Sequence, residues 1–161
     1  MSSTARPSSF THTHNHDTCI TEAIKLAEQC CAQNGTRFTS QRRRVLELIW
    51  QSHKPVTAYS LIKSLRKEKE NTEPPTVYRA LEFLQENNLV HRIESLNAFI
   101  GCEGPEKEHR SQFMICSQCD QAMELRNSPE IEKAISSEAH KLGFSISSST
   151  VEITGICPNC R

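Results

Sequence analysis

The chain has 161 residues, a formal net charge of zero, 36% hydrophobic residues and eight cysteines, enough for one compact domain or two small ones with modest cores. It carries no run of 18 apolar residues, and its first 18 positions are mostly Ser, Thr, His and Pro, which argues against a membrane span or an export signal and for a cytoplasmic address where cysteine pairs stay reduced. The zero charge is uneven: residues 37–92 hold eleven Lys/Arg against six Asp/Glu, net +5, and residues 93–161 hold six against ten, net −4, a split that often separates a nucleic-acid face from a protein–protein face.

Residues 1–18 have the composition of a disordered tail. Their alternating His12, His14 and His16 could chelate a metal only by surrendering chain entropy. From Cys19 to Gln33, Ile20, Ala23, Ile24, Ala27 and Cys31 follow helical spacing, and Gly35 ends the run. A second helix is expected from an N-cap at Ser40 to Trp50, with Val45, Leu48 and Ile49 inward and Arg42, Arg43 and Arg44 crowding its first half. Thr57 should cap a third, in which Ala58, Leu61, Ile62 and Leu65 give the i, i+3, i+4, i+7 stripe of a buried face. A fourth starts at Pro74-Pro75, because a first turn has no helical partner for the N–H that proline lacks. At about 100° per residue, Val77, Ala80, Leu81 and Leu84 share one arc while Tyr78, Arg79 and Glu82 face away. Tyr78 and Arg79 thus stand where the second helix of a helix-turn-helix meets base edges and phosphates. An ordinary helix with a solvent-facing arginine reads alike.

Leu89–Glu94 and Ala98–Cys102 are strand-like. A turn symmetric about Leu96/Asn97 pairs 94 with 99, 93 with 100, 92 with 101 and His91 with Cys102, setting an imidazole directly opposite a thiol. Residues 103–111 are charged and include Gly104 and Pro105, the composition of a hinge. Beyond it the pattern predicts a strand at Phe113–Ile115, the pair Cys116/Cys119, a strand at Ala122–Leu125 and a helix at Ser128–Leu142. A hairpin of Phe144–Ser147 with Val151–Ile156 and the pair Cys157/Cys160 follow. This last part is too small to be stable alone and carries alternating apolar strands, so a homodimer sharing sheet and core is expected.

Two Cys-x-x-Cys pairs flanking one small module read as a four-cysteine zinc site of Cys116, Cys119, Cys157 and Cys160. A thioredoxin-like dithiol would need its pair to open a helix after a strand, whereas Cys116-Ser-Gln-Cys119 lies between short strands. His91, Cys102, His109 and Glu124 form a second candidate set. Two imidazoles, a thiolate and a carboxylate from separated segments suit a site that can fill and empty; spacing alone leaves them equally readable as structural or solvated residues. No H-x-E followed by P-C-x-x-C occurs, so a zinc deaminase is disfavoured, and no enzyme activity is expected.

Arg37-Phe-Thr-Ser-Gln-Arg42, then Glu73-Pro-Pro-Thr-Val-Tyr-Arg-Ala-Leu81, then the His91 hairpin and the two cysteine pairs, in this order, closely resemble the ferric uptake regulator family from about Cys19 onward. The resemblance implies an α+β fold, an N-terminal winged helix-turn-helix domain followed by a small α/β dimerisation domain with a four-cysteine zinc site. The corresponding division is tail 1–18, winged-helix DNA-binding domain 19–102, hinge 103–111 and dimerisation and zinc-binding domain 112–161. Within the family the details resemble the zinc uptake branch. By that resemblance His91, Cys102, His109 and Glu124 hold a regulatory zinc and the four cysteines a structural one, two Zn2+ per subunit. The His-rich cluster that iron and peroxide sensors carry before the first cysteine pair is replaced by Arg110, Ser111, Gln112 and Phe113, and Ser148 and Ser149 stand where those relatives have a late sensing His. Both departures favour zinc over iron.

The implied function is a zinc-responsive transcriptional repressor of zinc uptake genes. It would bind a palindromic double-stranded DNA operator as a homodimer, with no membrane or small-molecule partner. Tyr78 and Arg79 would face bases, and Arg42, Arg43 and Arg44, with Lys54 or Arg92, phosphates. An iron- or peroxide-responsive regulator of the same family, or a zinc-stabilised interaction protein without metal-dependent DNA binding, are the alternatives.

Overall fold

A computed structural model of the chain describes residues 16–51, 54–105, 111–125 and 129–161. His12, His14 and His109 lie outside them. The elements in chain order are α1 (His16–Gln33), α2 (Ser40–Trp50), β1 (Val56–Thr57), α3 (Ala58–Glu68), α4 (Pro74–Glu86), β2 (Val90–Ile93), β3 (Ala98–Gly101), β4 (Ser111–Cys116), β5 (Ala122–Glu124), α5 (Pro129–Lys141) and β6 (Thr150–Gly155), with a final 3-10 turn at Pro158–Cys160. No described helix is long and apolar enough to cross a membrane.

The four helical stripes read from the sequence point where expected. α1 starts three residues before Cys19, inside the segment read as tail, with Asp17 in its first turn, where a carboxylate suits the positive end of the helix dipole. Gly35 ends it at φ 63°, the left-handed conformation that lets Thr36 N–H reach the Cys31 carbonyl at 2.9 Å. Thr39, not Ser40, caps α2: its hydroxyl accepts the Arg42 N–H, placing Ser40 at the first helical position. Thr57 caps α3 by accepting the Ser60 N–H at 3.2 Å. Val45, Leu46, Ile49, Leu61, Leu81 and Leu84 are each at most 1% exposed in the core that α1 to α4 share with the first sheet. Truncating any of these leucines to alanine should cost about 2–5 kcal/mol.

That sheet runs β1-β3-β2, all antiparallel. β1 is two residues long and merges into the Thr57 cap, so no alternation in the sequence marks it. The β2–β3 hairpin is the wing after α4, and its register corrects the sequence expectation. His91 faces Ile100 and Ile93 faces Ala98, two residues away from the predicted pairing. The turn is a four-residue Glu94–Asn97 loop closed by the Asn97 N–H on the Glu94 carbonyl, with Asn97 at φ 47°, a conformation asparagine tolerates. A slip of two preserves faces where a slip of one would invert them. His91 and Cys102 therefore still share a face, but as diagonal neighbours; Cys102 instead donates its N–H to the Leu89 carbonyl at 3.0 Å.

The second sheet has the order β5-β4-β6. β4 pairs antiparallel with β5 (Phe113 opposite Glu124) and parallel with β6 (Ser111 opposite Thr150 through Cys116 opposite Gly155). The expected Phe144–Val151 hairpin does not form. Residues 144–147 are not strand, and β6 takes a six-residue ladder on β4, longer than the four-residue hairpin arm available to it. α5 between β5 and β6 makes that parallel return possible.

A smaller core joins the two sheets. Ile93 of the wing, Phe113, Ile115 and Ala122 are buried together, with Leu96 and Ile100 packed against them. The wing thus lies on the C-terminal sheet. α5, by contrast, has no buried residue, and Met114, Leu142, Phe144, Ile153 and Ile156 stay exposed.

Candidate metal centres and an exposed helix face

The four cysteines converge because β4 and β6 run side by side and both end in a Cys-x-x-Cys turn. Ser117 N–H on the Gly155 carbonyl (2.8 Å) and Cys157 N–H on Cys116 Sγ (3.3 Å) tie the two turns together. Asp120 at φ 58° turns the first pair back toward β5. The four sulfurs all lie within 4.8 Å of one another. Cys119 and Cys157 Sγ are 3.8 Å apart, and Zn–S bonds of about 2.3 Å set tetrahedral sulfurs about 3.8 Å apart. Backbone N–H groups of Cys157 and Cys119 aimed at its sulfur hold the Cys116 thiol down to about 6, whereas its interactions with Cys157 and the other sulfurs, together with burial, push Cys160 up to about 12. A cluster whose members cannot all ionise together becomes a stable ligand set only around a cation.

The second candidate set sits at the junction. Cys102 follows β3, His91 lies in the wing strand β2, and Glu124 ends β5 of the other sheet. Their ligand atoms all fall within 4.8 Å of one another. His91 Nε2 is 3.1 Å from Glu124 Oε1, with side chains 10% and 5% exposed, and the imidazole rests edge-on against Phe113 at 5.6 Å. One soft thiolate, one imidazole and one carboxylate suit zinc by donor type. His109, the fourth candidate, is outside the described residues.

The wing is held at a second point. Glu152 of β6 accepts the N–H groups of Glu94 (2.6 Å) and Ser95 (3.1 Å) at the tip of the hairpin. Burial raises the Glu152 carboxyl, but the Ser95 hydroxyl and these N–H groups outweigh it and hold the group below its ordinary value. No sequence motif announces this contact, since it rests mainly on two backbone N–H groups. At the other end of β3, Gly101 carries the Trp50 indole so closely that a Cβ there would clash with the ring.

On α4, Tyr78 and Arg79 point outward, and Arg79 makes no hydrogen bond or ion pair among the described residues. The α2 arginines are engaged. Arg42 lies over the Phe83 ring and donates to the Arg37 carbonyl, Arg43 pairs with Glu28, and Arg44 bridges Glu47 (2.8 Å) and Glu68. Arg43 and Arg44 could meet a phosphate only by exchanging an existing partner. Arg92 pairs with Glu94 at 3.3 Å.

Residues 33–154 match the ferric uptake regulator family. The zinc uptake regulation protein of Escherichia coli (strain K12) is 35% identical over 144 residues, covering 89% of this chain and 84% of that protein. A zinc uptake regulator solved in complex with zinc and DNA superposes with a TM-score of 0.82 at 35% identity, over 88% of this chain and 94% of that one. Holo XcZur gives 0.77 at 40% identity, over 85% and 95% of the two chains. Its apo form gives 0.52 at 38% identity, over 88% and 97%. At nearly equal identity and coverage, the parts of this structure are therefore disposed more as in the holo form than as in the apo form. A family match across three-quarters of its residues, joined to a relative this similar along almost its whole length, makes the chain a member of the ferric uptake regulator family.

Proposed function

We propose that the protein is a zinc-responsive, DNA-binding transcriptional repressor that works as a homodimer in the cytoplasm and regulates zinc uptake. The observation that carries this reading is the convergence of His91, Cys102 and Glu124, from the wing and from the C-terminal sheet, on a space one cation would fill.

His91, Cys102 and Glu124, with His109 from the hinge as fourth ligand, would hold a regulatory zinc. Cys116, Cys119, Cys157 and Cys160 would hold a structural one, giving two per subunit. When bound at the junction, the ion supplies a divalent cross-link that adds to the apolar core and the Glu152 contact seen among the described residues. The chain's own residues do the rest. His91 and Cys102 carry the wing, the wing carries α4, and α4 presents Tyr78 and Arg79. The exposed Met114, Ile153, Leu142 and Phe144 suit burial against a second copy of the chain, and the dimer would set two α4 helices at half-site spacing on a palindromic operator. Arg42, Arg43 and Arg44 would approach the flanking phosphates. A coupling of about 1–3 kcal/mol between the junction site and DNA suffices for a switch of several-fold to a hundredfold.

The deciding experiment is a DNA-binding titration against free zinc for wild type, His91→Ala, Cys102→Ser and Arg79→Ala. The two ligand variants should remain folded dimers and lose the zinc-driven shift, while Arg79→Ala should lose about 1–3 kcal/mol of sequence discrimination. Binding that is equal with and without chelator in wild type rejects the reading.

A further inference from the structure

Among the described residues the wing meets the C-terminal sheet at its base, its middle and its tip, and the candidate metal ligands lie at the base. At its base His91 and Cys102 approach Glu124. In the middle Ile93, Leu96 and Ile100 pack on Phe113, Ile115 and Ala122. At its tip both carboxylate oxygens of Glu152 are used, one on each of two consecutive backbone N–H groups of the turn. A carboxylate shared this way forms two charge-assisted hydrogen bonds. They fix an orientation as well as a distance, because both donors belong to one rigid turn closed by the Asn97 N–H and by Arg92 donating to Asn97 Oδ1 at 3.1 Å.

β4 lies between β5 and β6, and Phe113 is opposite both Glu124 on one side and Glu152 on the other. The two carboxylates therefore flank the buried Phe113 at the same level of the sheet. One addresses the base of the wing and the other its tip. A hairpin grasped only at its tip and middle can still rock at its base, and one held only at its base can splay at its tip. Held at both ends, it has a single pose.

We infer that Glu152 is a positioning residue for the regulatory site: by holding the wing tip in this arrangement, it orients the hairpin so that His91 and Cys102 face Glu124. The inference rests on the zinc-responsive reading of the junction and adds to it a contact that contains no metal ligand. Preorganising the ligands lowers the conformational cost that zinc binding must meet, so Glu152 sets the zinc concentration at which the protein responds. The backbone donors cannot be deleted by mutation, which leaves the carboxylate and the Ser95 hydroxyl as the variable elements.

The test uses the full chain as wild type, Glu152→Gln and Glu152→Ala. Glu152 is half-buried at the sheet surface, so neither change empties a core; dimer mass and the thermal transition verify the fold. The first readout is amide exchange at Glu94 and Ser95 with zinc bound. Protection should be present in wild type and lost in Glu152→Ala, with Glu152→Gln between, since its amide keeps one acceptor and turns a donor toward the other N–H. The second is the free-zinc concentration that half-protects Cys102 from alkylation, which should rise about tenfold in Glu152→Ala, within the usual range of coupling free energies. Unchanged protection at residues 94 and 95, or an unchanged zinc midpoint for Cys102, overturns the inference. Neither readout involves DNA. Wild type that binds DNA regardless of zinc would sink the regulator reading while the exchange experiment still decides the latch.

Discussion

Glu124 Oε1 and His91 Nε2 stand 3.1 Å apart across the boundary between two sheets, each side chain at most a tenth exposed. Burying such a pair costs hydration, and the Cys102 sulfur within the same 4.8 Å cluster makes sense of the cost if a cation completes it. Glu124→Gln keeps the size and removes the charge. The expected result is a rise of about 10-fold or more in the zinc needed for half-maximal DNA binding, with dimer mass unchanged, read by fluorescence anisotropy and sedimentation. An unchanged midpoint removes Glu124 from the ligand set.

The four-cysteine cluster predicts a different phenotype. α5 has no fully buried residue and the second sheet has three short strands, so this half depends on its staple and on its partner. Cys157→Ser, or stripping the metal with a strong chelator, should abolish the dimer and broaden or remove the cooperative thermal transition, because structural zinc contributes folding free energy directly. A Cys157→Ser protein that remains a dimer with an unaltered melt contradicts a structural role.

Gly101 links the helical core to the junction. The only tryptophan of the chain, Trp50, rests on it, and Cys102 is the next residue. Gly101→Ala must push the indole away or shift β3, at about 1–3 kcal/mol for overpacking of this kind, and should alter Trp50 fluorescence together with zinc protection of Cys102. Unchanged emission and stability would show that the strand tolerates a side chain there.

The wing-tip latch carries a pH signature. The Glu152 carboxyl is lowered in the folded protein, the Ser95 hydroxyl and the Glu94 and Ser95 N–H groups outweighing the upward push of burial. A group lowered on folding adds stability that is complete above its unfolded pKa, about 4.3 for glutamate, and that is lost as pH falls through the lower folded value. Arg92 and Glu94 border the same turn. The backbone amide resonances of Glu94 and Ser95 should therefore hold their hydrogen-bonded shifts at pH 5 and change only below the ordinary carboxylate range. Glu152→Gln should show no such transition.

Much of the architecture could be read from residue order. Helices α2 to α4 were legible because their apolar positions recur at helical spacing and because Thr57 and Pro74-Pro75 mark starts by local chemistry. The cysteine pairs were legible because two-residue spacing is itself a ligand geometry. The wing was legible as two strands but not in register: Asn97 accepts a left-handed conformation, and the turn centres on Ser95/Leu96, one residue before the expected Leu96/Asn97. β6 was legible as a strand but not as the parallel neighbour of β4, since period-two alternation says nothing about which edge a strand will join.

By itself, the amino-acid order determined the helical stripes, the Thr57 cap and the thiol pairs, all of them properties of segments shorter than about twenty residues, and the family resemblance, carried by the order of such segments along the chain. Only the tertiary structure decided that His91 and Cys102 meet Glu124 as diagonal and cross-sheet neighbours, that Gly101 lies beneath Trp50, and that Glu152 holds the tip of the wing. The physical reason is one of range. Helix periodicity and capping are satisfied within a few residues, whereas a carboxylate that bonds backbone N–H groups 57 and 58 residues away leaves no pattern in the chain that could announce its partner.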